Sequence, residues 1–270
     1  IAGINQIIQS ACNIAGPALA ALFISFMEMT NILLLDVIGA ALACTSLLFV
    51  KIPDPENEVR SQKVQLLKEA KEAYTEVRAQ NGLSWLFVLS ILATFFIMPV
   101  GVLFPLMTLN HYSGNAYQIS LVEAAWGIGA LLGGAFLGIK KFRLNEISLI
   151  NWMYILLGIT FLLSGVLPVS GYPLFVGLTA VGGISGSLYM ASFTTVMQTR
   201  INPVVMGRVF SFYMSVSLLP SMIGLLSTGF LADNIGIGNT FIIGGVLVGM
   251  IGLVSFFVPS IRELRESFCK

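Results

Sequence analysis

Eight apolar runs dominate the chain, each long enough to cross a bilayer as a helix of about 20 residues. They fall at Ile4–Ile24, Ile32–Val50, Leu83–Leu106, Ile119–Ile139, Ile147–Leu167, Pro173–Thr195, Val209–Leu231 and Thr240–Val258. None shows the period-two alternation of a membrane strand. Lipid offers backbone N–H and C=O groups no partner, so each run is expected to satisfy its own as a helix. The expected fold is an all-α polytopic membrane protein with eight transmembrane helices. With 56% hydrophobic and 10% charged residues, the chain is far from the soluble norm of about a quarter charged. Most of its 27 glycines lie within the apolar runs, where they let helix backbones approach closely.

The polar exception is the stretch from Lys51 to Gly82, which holds twelve of the 27 charged residues. It separates two spans upstream from six downstream. The expected organisation is residues 1–50 as the last two helices of one half-bundle, 51–82 as a loop, and 83–270 as a six-helix half-bundle. Six cations (Lys51, Arg60, Lys63, Lys68, Lys71, Arg78) occupy that loop. Lys140, Lys141 and Arg143 follow span four, Arg200 and Arg208 separate spans six and seven, and Arg262, Arg265 and Lys270 follow span eight. Every Lys and Arg therefore falls on one face, and the positive-inside rule makes that face, with both chain ends, cytoplasmic. Trp85 and Trp152 fall at the inner boundary, and Tyr112, Tyr117 and Tyr172 at the outer one. The chain opens at Ile1 without a Met or a signal-peptide layout, which reads as a fragment of a longer membrane protein.

Within the loop, Val59, Leu66, Leu67, Ala70, Ala73, Tyr74 and Val77 recur at helical steps, and Lys68 with Glu72 forms an i,i+4 pair. They predict an amphipathic helix that lies on lipid headgroups or packs under the spans. The six acids and six bases of the whole loop argue against a dedicated anionic-lipid anchor. Spans one and two also resemble spans seven and eight in outline. Each pair has a mid-span proline (Pro17, Pro220), then a Thr/Asn start to a second span that ends at a proline. Such an echo suggests two halves of a duplicated transporter.

Span one carries Gly3, Cys12, Gly16 and Pro17, then Ala20 and Ala21. This resembles the fifth-helix signature of the drug/proton antiporter branch of the major facilitator superfamily: a smooth, closely packing face with a proline-weakened turn. Cys12, Ala20 and Ala21 depart from the usual glycines but remain small. Asn202 to Ser211, including Gly207 and Arg208, resembles the loop before the eleventh helix in macrolide-efflux-like and enterobactin-exporter-like members. The resemblance covers the whole chain as helices five to twelve of a twelve-helix protein, a partial facilitator fold. It implies a cell-membrane secondary exporter, monomeric at full length, that exchanges protons for an amphipathic drug-like compound or siderophore.

Two carboxylates interrupt apolar runs: Asp36 in LLLDVIG and Glu123 in LVEAAWG. An ionised carboxylate there is costly, so it must be partnered, face an aqueous cavity or spend time protonated. Each is either a proton-coupling group or an acid that snorkels outward or bonds a neighbouring helix. Gln6, Gln9 and Asn13 share a face of span one, to line a cavity or to hydrogen-bond between helices. Phe95, Phe96, Met98, Tyr189, Met190 and Phe193 suit an adaptable apolar substrate surface, or face lipid and neighbouring helices. Glycine pairs four apart (Gly129/Gly133, Gly134/Gly138, Gly182/Gly186, Gly245/Gly249) predict helix–helix contacts.

Other chemistries find little support. Cys12, Cys44 and Cys269 form no disulfide framework, and His111, the one histidine, has no partners for a metal site. No cofactor is implied, and the thinly spread cations give no nucleic-acid footprint. Gly127 to Gly133 lacks the spacing and the preceding strand of a dinucleotide loop. No grouping of His, Cys, Asp or Ser suggests an enzyme. A sensor or scaffold derived from a transporter, or a facilitator of another substrate class, is the remaining alternative.

Overall fold

A computed structural model describes residues 23, 27, 29–49, 66–80, 82–139, 145–202 and 204–266. The helices in these regions are α1 (Met29–Phe49), α2 (Leu66–Ala79), α3 (Leu83–Leu106), α4 (Ala116–Ile139), α5 (Glu146–Val166), α6 (Tyr172–Arg200), α7 (Met206–Ile235), α8 (Ile237–Phe257) and α9 (Pro259–Glu266). Six segments, carrying α3 to α8, are long and apolar enough to cross a membrane. They match the expected spans within a few residues. α1 coincides with the second expected span, and the first lies outside the described residues.

α3 to α8 pack as one bundle. Its tightest seams are α5 on α8 and α4 on α6, with α6 also on α5 and α3 on α7 and α8. Water-driven burial does not operate between helices in lipid, so close backbone approach must hold them. A methyl group added at Gly158 would lie 2.5 Å from the carbonyl oxygen of Gly245. One at Gly252 would lie 2.8 Å from that of Asn151, and one at Gly165 2.5 Å from that of Gly238. On the second seam, Gly129 abuts the Ala180 carbonyl and Gly133 the Ile184 carbonyl. The predicted pairs at 129/133 and 245/249 thus lie at contacts, while Gly158, Gly165 and Gly252 join the seam without such a pattern.

The two ends of the bundle differ. At one end the starts of α3, α5 and α7 meet α2 and α9. Asn145 caps α5 through its Oδ1, which accepts from the Ile147 and Ser148 amides, while its Nδ2 donates to the Arg265 carbonyl at 2.5 Å. Gly82, at φ +85°, turns the chain from α2 into α3 against the Ser260 carbonyl, a conformation and an approach that a Cβ would not allow. All the described Lys and Arg residues lie at this end. At the opposite end, His111 Nε2 bonds the Leu167 carbonyl at 2.9 Å, and the Tyr172 hydroxyl donates to the Gln118 carbonyl at 2.9 Å.

α2 packs under the bundle, one of the two expected placements. Ala73 and Val77 are buried, the Ser84 hydroxyl donates to the Val77 carbonyl, and the Tyr74 ring meets Phe212 edge-on. Glu72, expected beside Lys68, accepts from Arg208 of α7 at 2.7 Å. Both partners are substantially exposed, so this pair contributes at most about 1 kcal/mol and mainly sets alignment.

α3 is interrupted by Pro99 and Pro105 and widens into a π turn over Met107–His111, closed by the Tyr112 amide on the Met107 carbonyl. Pro99 has no N–H, which removes the intrahelical donor to the Phe95 carbonyl. Gly224 of α7 packs on that freed carbonyl.

Overpacking a backbone contact typically costs about 1–3 kcal/mol. Gly158→Leu is therefore expected to lower the thermal unfolding midpoint of the purified protein. Gly177→Ala, where a methyl group meets nothing within 4 Å, should leave it unchanged. Equal midpoints for both variants would contradict the seam.

Candidate functional site

Glu123 lies seven residues into α4, ~10 Å along the helix from its start at Ala116. It opens onto a cavity of about 250 Å³ between α3, α4, α5 and α6. Ile97, Gly101, Phe104, Val122, Trp126, Phe161 and Thr179 complete the lining. None of these is a cation, and among the described residues Glu123 has neither a hydrogen-bond nor an ion partner. The Thr179 hydroxyl is turned back onto the Phe175 carbonyl at 2.8 Å.

Neighbouring helices build the walls. Gly182, Gly183 and Gly186 of α6 all pack on Trp126, so the absence of side chains there makes room for the indole. Phe104 sits with its ring centroid 6.1 Å from those of both Trp126 and Phe161. Phe175 and Phe241 back it on the far side. Gly101, one turn before Phe104, leaves the α3 wall open.

A second cavity of about 330 Å³ lies between α3, α7 and α8, lined in part by Phe95, Phe96, Pro99, Leu231 and Leu247. Its hydroxyls are turned inward: Ser227 donates to the Gly224 carbonyl and Thr240 to the Gly236 carbonyl. That leaves the lining hydrocarbon. Phe95 and Phe96 thus belong to one cavity and Glu123 to another, on opposite sides of α3.

The other residues named from the sequence are scattered. Tyr189 shares Ser90 with Tyr213, hydroxyl to hydroxyl, at 2.6 and 2.7 Å. Phe193 is buried beside them against Phe87 and Tyr213. Met98 and Met190 are exposed on the bundle surface. Pro220 interrupts α7 one turn before Gly224, and Gly207 and Arg208 open that helix at the charged end. Asp36 lies within α1, and its side chain is not described. Gly3, Gln6, Gln9, Cys12, Asn13, Gly16 and Pro17 lie outside the described residues.

Several residues of these sites gave no signal in the sequence. Phe104, Phe161 and Thr179 join Glu123 from three other helices, and no short spacing links them. Ser90, Tyr154 and Tyr213 form a buried polar and aromatic cluster with Tyr189 across four helices, the Tyr154 and Tyr189 rings lying tilted with centroids 4.6 Å apart.

The pattern of the Major Facilitator Superfamily matches residues 1–219. Macrolide efflux protein A of Streptococcus pyogenes is 35% identical over 265 residues, covering 98% of this chain and 65% of that protein. The protein of the same name from Enterococcus faecalis is 36% identical over 224 residues, covering 83% of this chain and 69% of the relative. The multidrug efflux pump Tap of Mycolicibacterium fortuitum is 26% identical over 270 residues, 96% of this chain and 64% of the pump. No solved structure matches. The chain thus spans just under two thirds of the Streptococcus relative's length. Together with the bundle of membrane-length helices, these matches show that the chain belongs to the Major Facilitator Superfamily.

Proposed function

We propose that the chain forms part of a secondary active exporter that moves an amphipathic, drug-like compound outward in exchange for protons. The relatives named above are macrolide and multidrug pumps, which favours such a compound over a siderophore. One observation carries the exchange reading: Glu123, a carboxylate without a partner among the described residues, stands in a cavity inside a bundle of membrane-length helices and is the only titratable group among the described residues of its lining. A carboxylate with no fixed counter-ion at that depth stays charged only while something cationic or aqueous attends it, and otherwise takes up a proton. That alternation is what proton exchange requires. Asp36, in α1, is proposed as a second such group.

In this reading residues 1–50 belong to one half-bundle, 83–270 form the other, and the loop helix α2 ties them at the inner face. The end that gathers Arg78, Arg200, Arg208, Arg262 and Arg265 is read as the cytoplasmic end, with the C-terminus on the cytoplasmic side of the cell membrane. The exporter acts as a monomer. The cavity on the far side of α3, with Phe95 and Phe96, offers a hydrocarbon surface for the apolar body of a substrate. Gln6, Gln9 and Asn13 are assigned to the same central pathway.

In everted vesicles carrying the whole protein, Glu123→Gln is expected to cut efflux driven by a pH gradient by about tenfold or more, with the membrane level of the protein unchanged. Unaltered efflux would remove Glu123 from the mechanism. Wild-type vesicles without substrate-dependent proton movement would contradict antiport and leave the sensor or scaffold reading.

A further inference from the structure

We infer that the cavity between α3, α7 and α8 holds one acyl chain of a membrane lipid. This goes beyond the exporter reading and does not depend on it; a substrate body using the same wall would first have to displace the chain.

The lining dictates the chemistry of its occupant. Among the described residues it contains no charged group, and its two hydroxyls, Ser227 and Thr240, are spent on the carbonyls of Gly224 and Gly236. A buried water needs about two to four polar partners, so water is a poor occupant here. The space of about 330 Å³ therefore calls for hydrocarbon, packed as closely as the rest of the interior.

The cavity is elongated along the helices. On α7 its lining runs from Ser227 to Ile235, the last residue of that helix, and on α8 from Thr240 to Leu247. Those stretches rise ~12 and ~10 Å respectively. The slot thus reaches from the end opposite the cations to Phe95 and Phe96, midway along α3. One leaflet of hydrocarbon is ~15 Å thick, half of a ~30 Å core, so a chain hanging from that end lies along most of the slot.

The mouth faces lipid. Ile243, 46% exposed, both lines the slot and begins a stripe that continues through Val246, Met250, Leu253 and Phe257, all exposed and all apolar. Steps of three and four residues place that stripe on one face of α8, and such a face on a membrane-length helix meets the bilayer. Leu226 and Phe230 of α7, exposed as well, precede the lining residues Ser227 and Leu231. Lipid is the hydrocarbon present in excess at this opening. No Lys or Arg lies at that end among the described residues to hold a phosphate. The side-chain amides of Asn234 and Asn239 donate to the Phe230 and Ile235 carbonyls. Selection is accordingly by chain rather than by headgroup.

The test reconstitutes the whole protein in substrate-free liposomes doped with phosphatidylcholine that carries a photoactivatable diazirine near the tip of one acyl chain. Adducts are mapped by mass spectrometry after illumination. Phe95 and Phe96, on the α3 wall, are expected to carry label alongside Ile243 at the mouth. The same lipid with the diazirine on its headgroup should label neither phenylalanine. Ser227→Trp, which fills the slot with an indole, should abolish the label on Phe95 and Phe96 and spare that on Leu253, outside the slot. Label confined to the exposed stripe of α8, or label on Phe95 and Phe96 that persists unchanged in Ser227→Trp, would overturn the lipid site. The wild-type comparison of the two lipids needs no substitution, so misfolding of a variant cannot mask the result. Intact gradient-driven efflux with no label in the slot would refute the lipid site alone, whereas label in the slot without efflux would refute the exporter reading alone.

Discussion

Hydrocarbon gives a peptide group nothing to bond with, and the architecture follows from that constraint. Each backbone N–H and C=O in the spanning segments must be satisfied within its own helix. The helices then lack the water-driven attraction that assembles a soluble core. Contact between backbones replaces it, through glycines set where two helices cross. Gly158 against Gly245 on one seam and Gly129 against Ala180 on the other bring peptide groups together at distances that no side chain would permit. Where α3 breaks the rule, at Pro99, the freed Phe95 carbonyl is covered by Gly224 of α7.

The same constraint gives the Glu123 cavity its meaning. A carboxylate placed among Phe104, Trp126 and Phe161 costs free energy in proportion to its isolation, on the order of 3 kcal/mol for an acid at a helix centre on insertion scales. Nothing in the described structure offsets it. A group held at such a cost without a partner among the described residues is poised to take up a proton. The proposed exchange draws on this unmet demand.

The architecture was largely legible because its signals are one-dimensional. Length and apolarity marked the spans, and the strict alternation of cation-bearing loops marked which helix ends share a side. The structure gathers those ends around α2 and α9. Glu123 stood out because a charge within an apolar run is conspicuous by itself. Its companions did not, because Phe104, Phe161 and Thr179 lie on three separate helices that are apolar all round and so give no facing direction. For the same reason Phe193 could be read from the sequence as a substrate contact or as a residue facing lipid or a neighbouring helix; it is buried beside Phe87 and Tyr213. The amphipathic loop helix did have a readable face, with Ala73 and Val77 on it, but its partner could be named only once Phe212 and Arg208 were seen beside it.

The sidedness of the cationic end sets the direction of the proposed proton exchange, from uptake to release. Its most direct measurement is the reaction of Lys51, Lys63, Lys68 and Lys71 with a membrane-impermeant amine reagent, on intact cells and on everted vesicles. Modification in the vesicles and protection in the cells is the predicted result. Modification of these lysines from outside intact cells would contradict it.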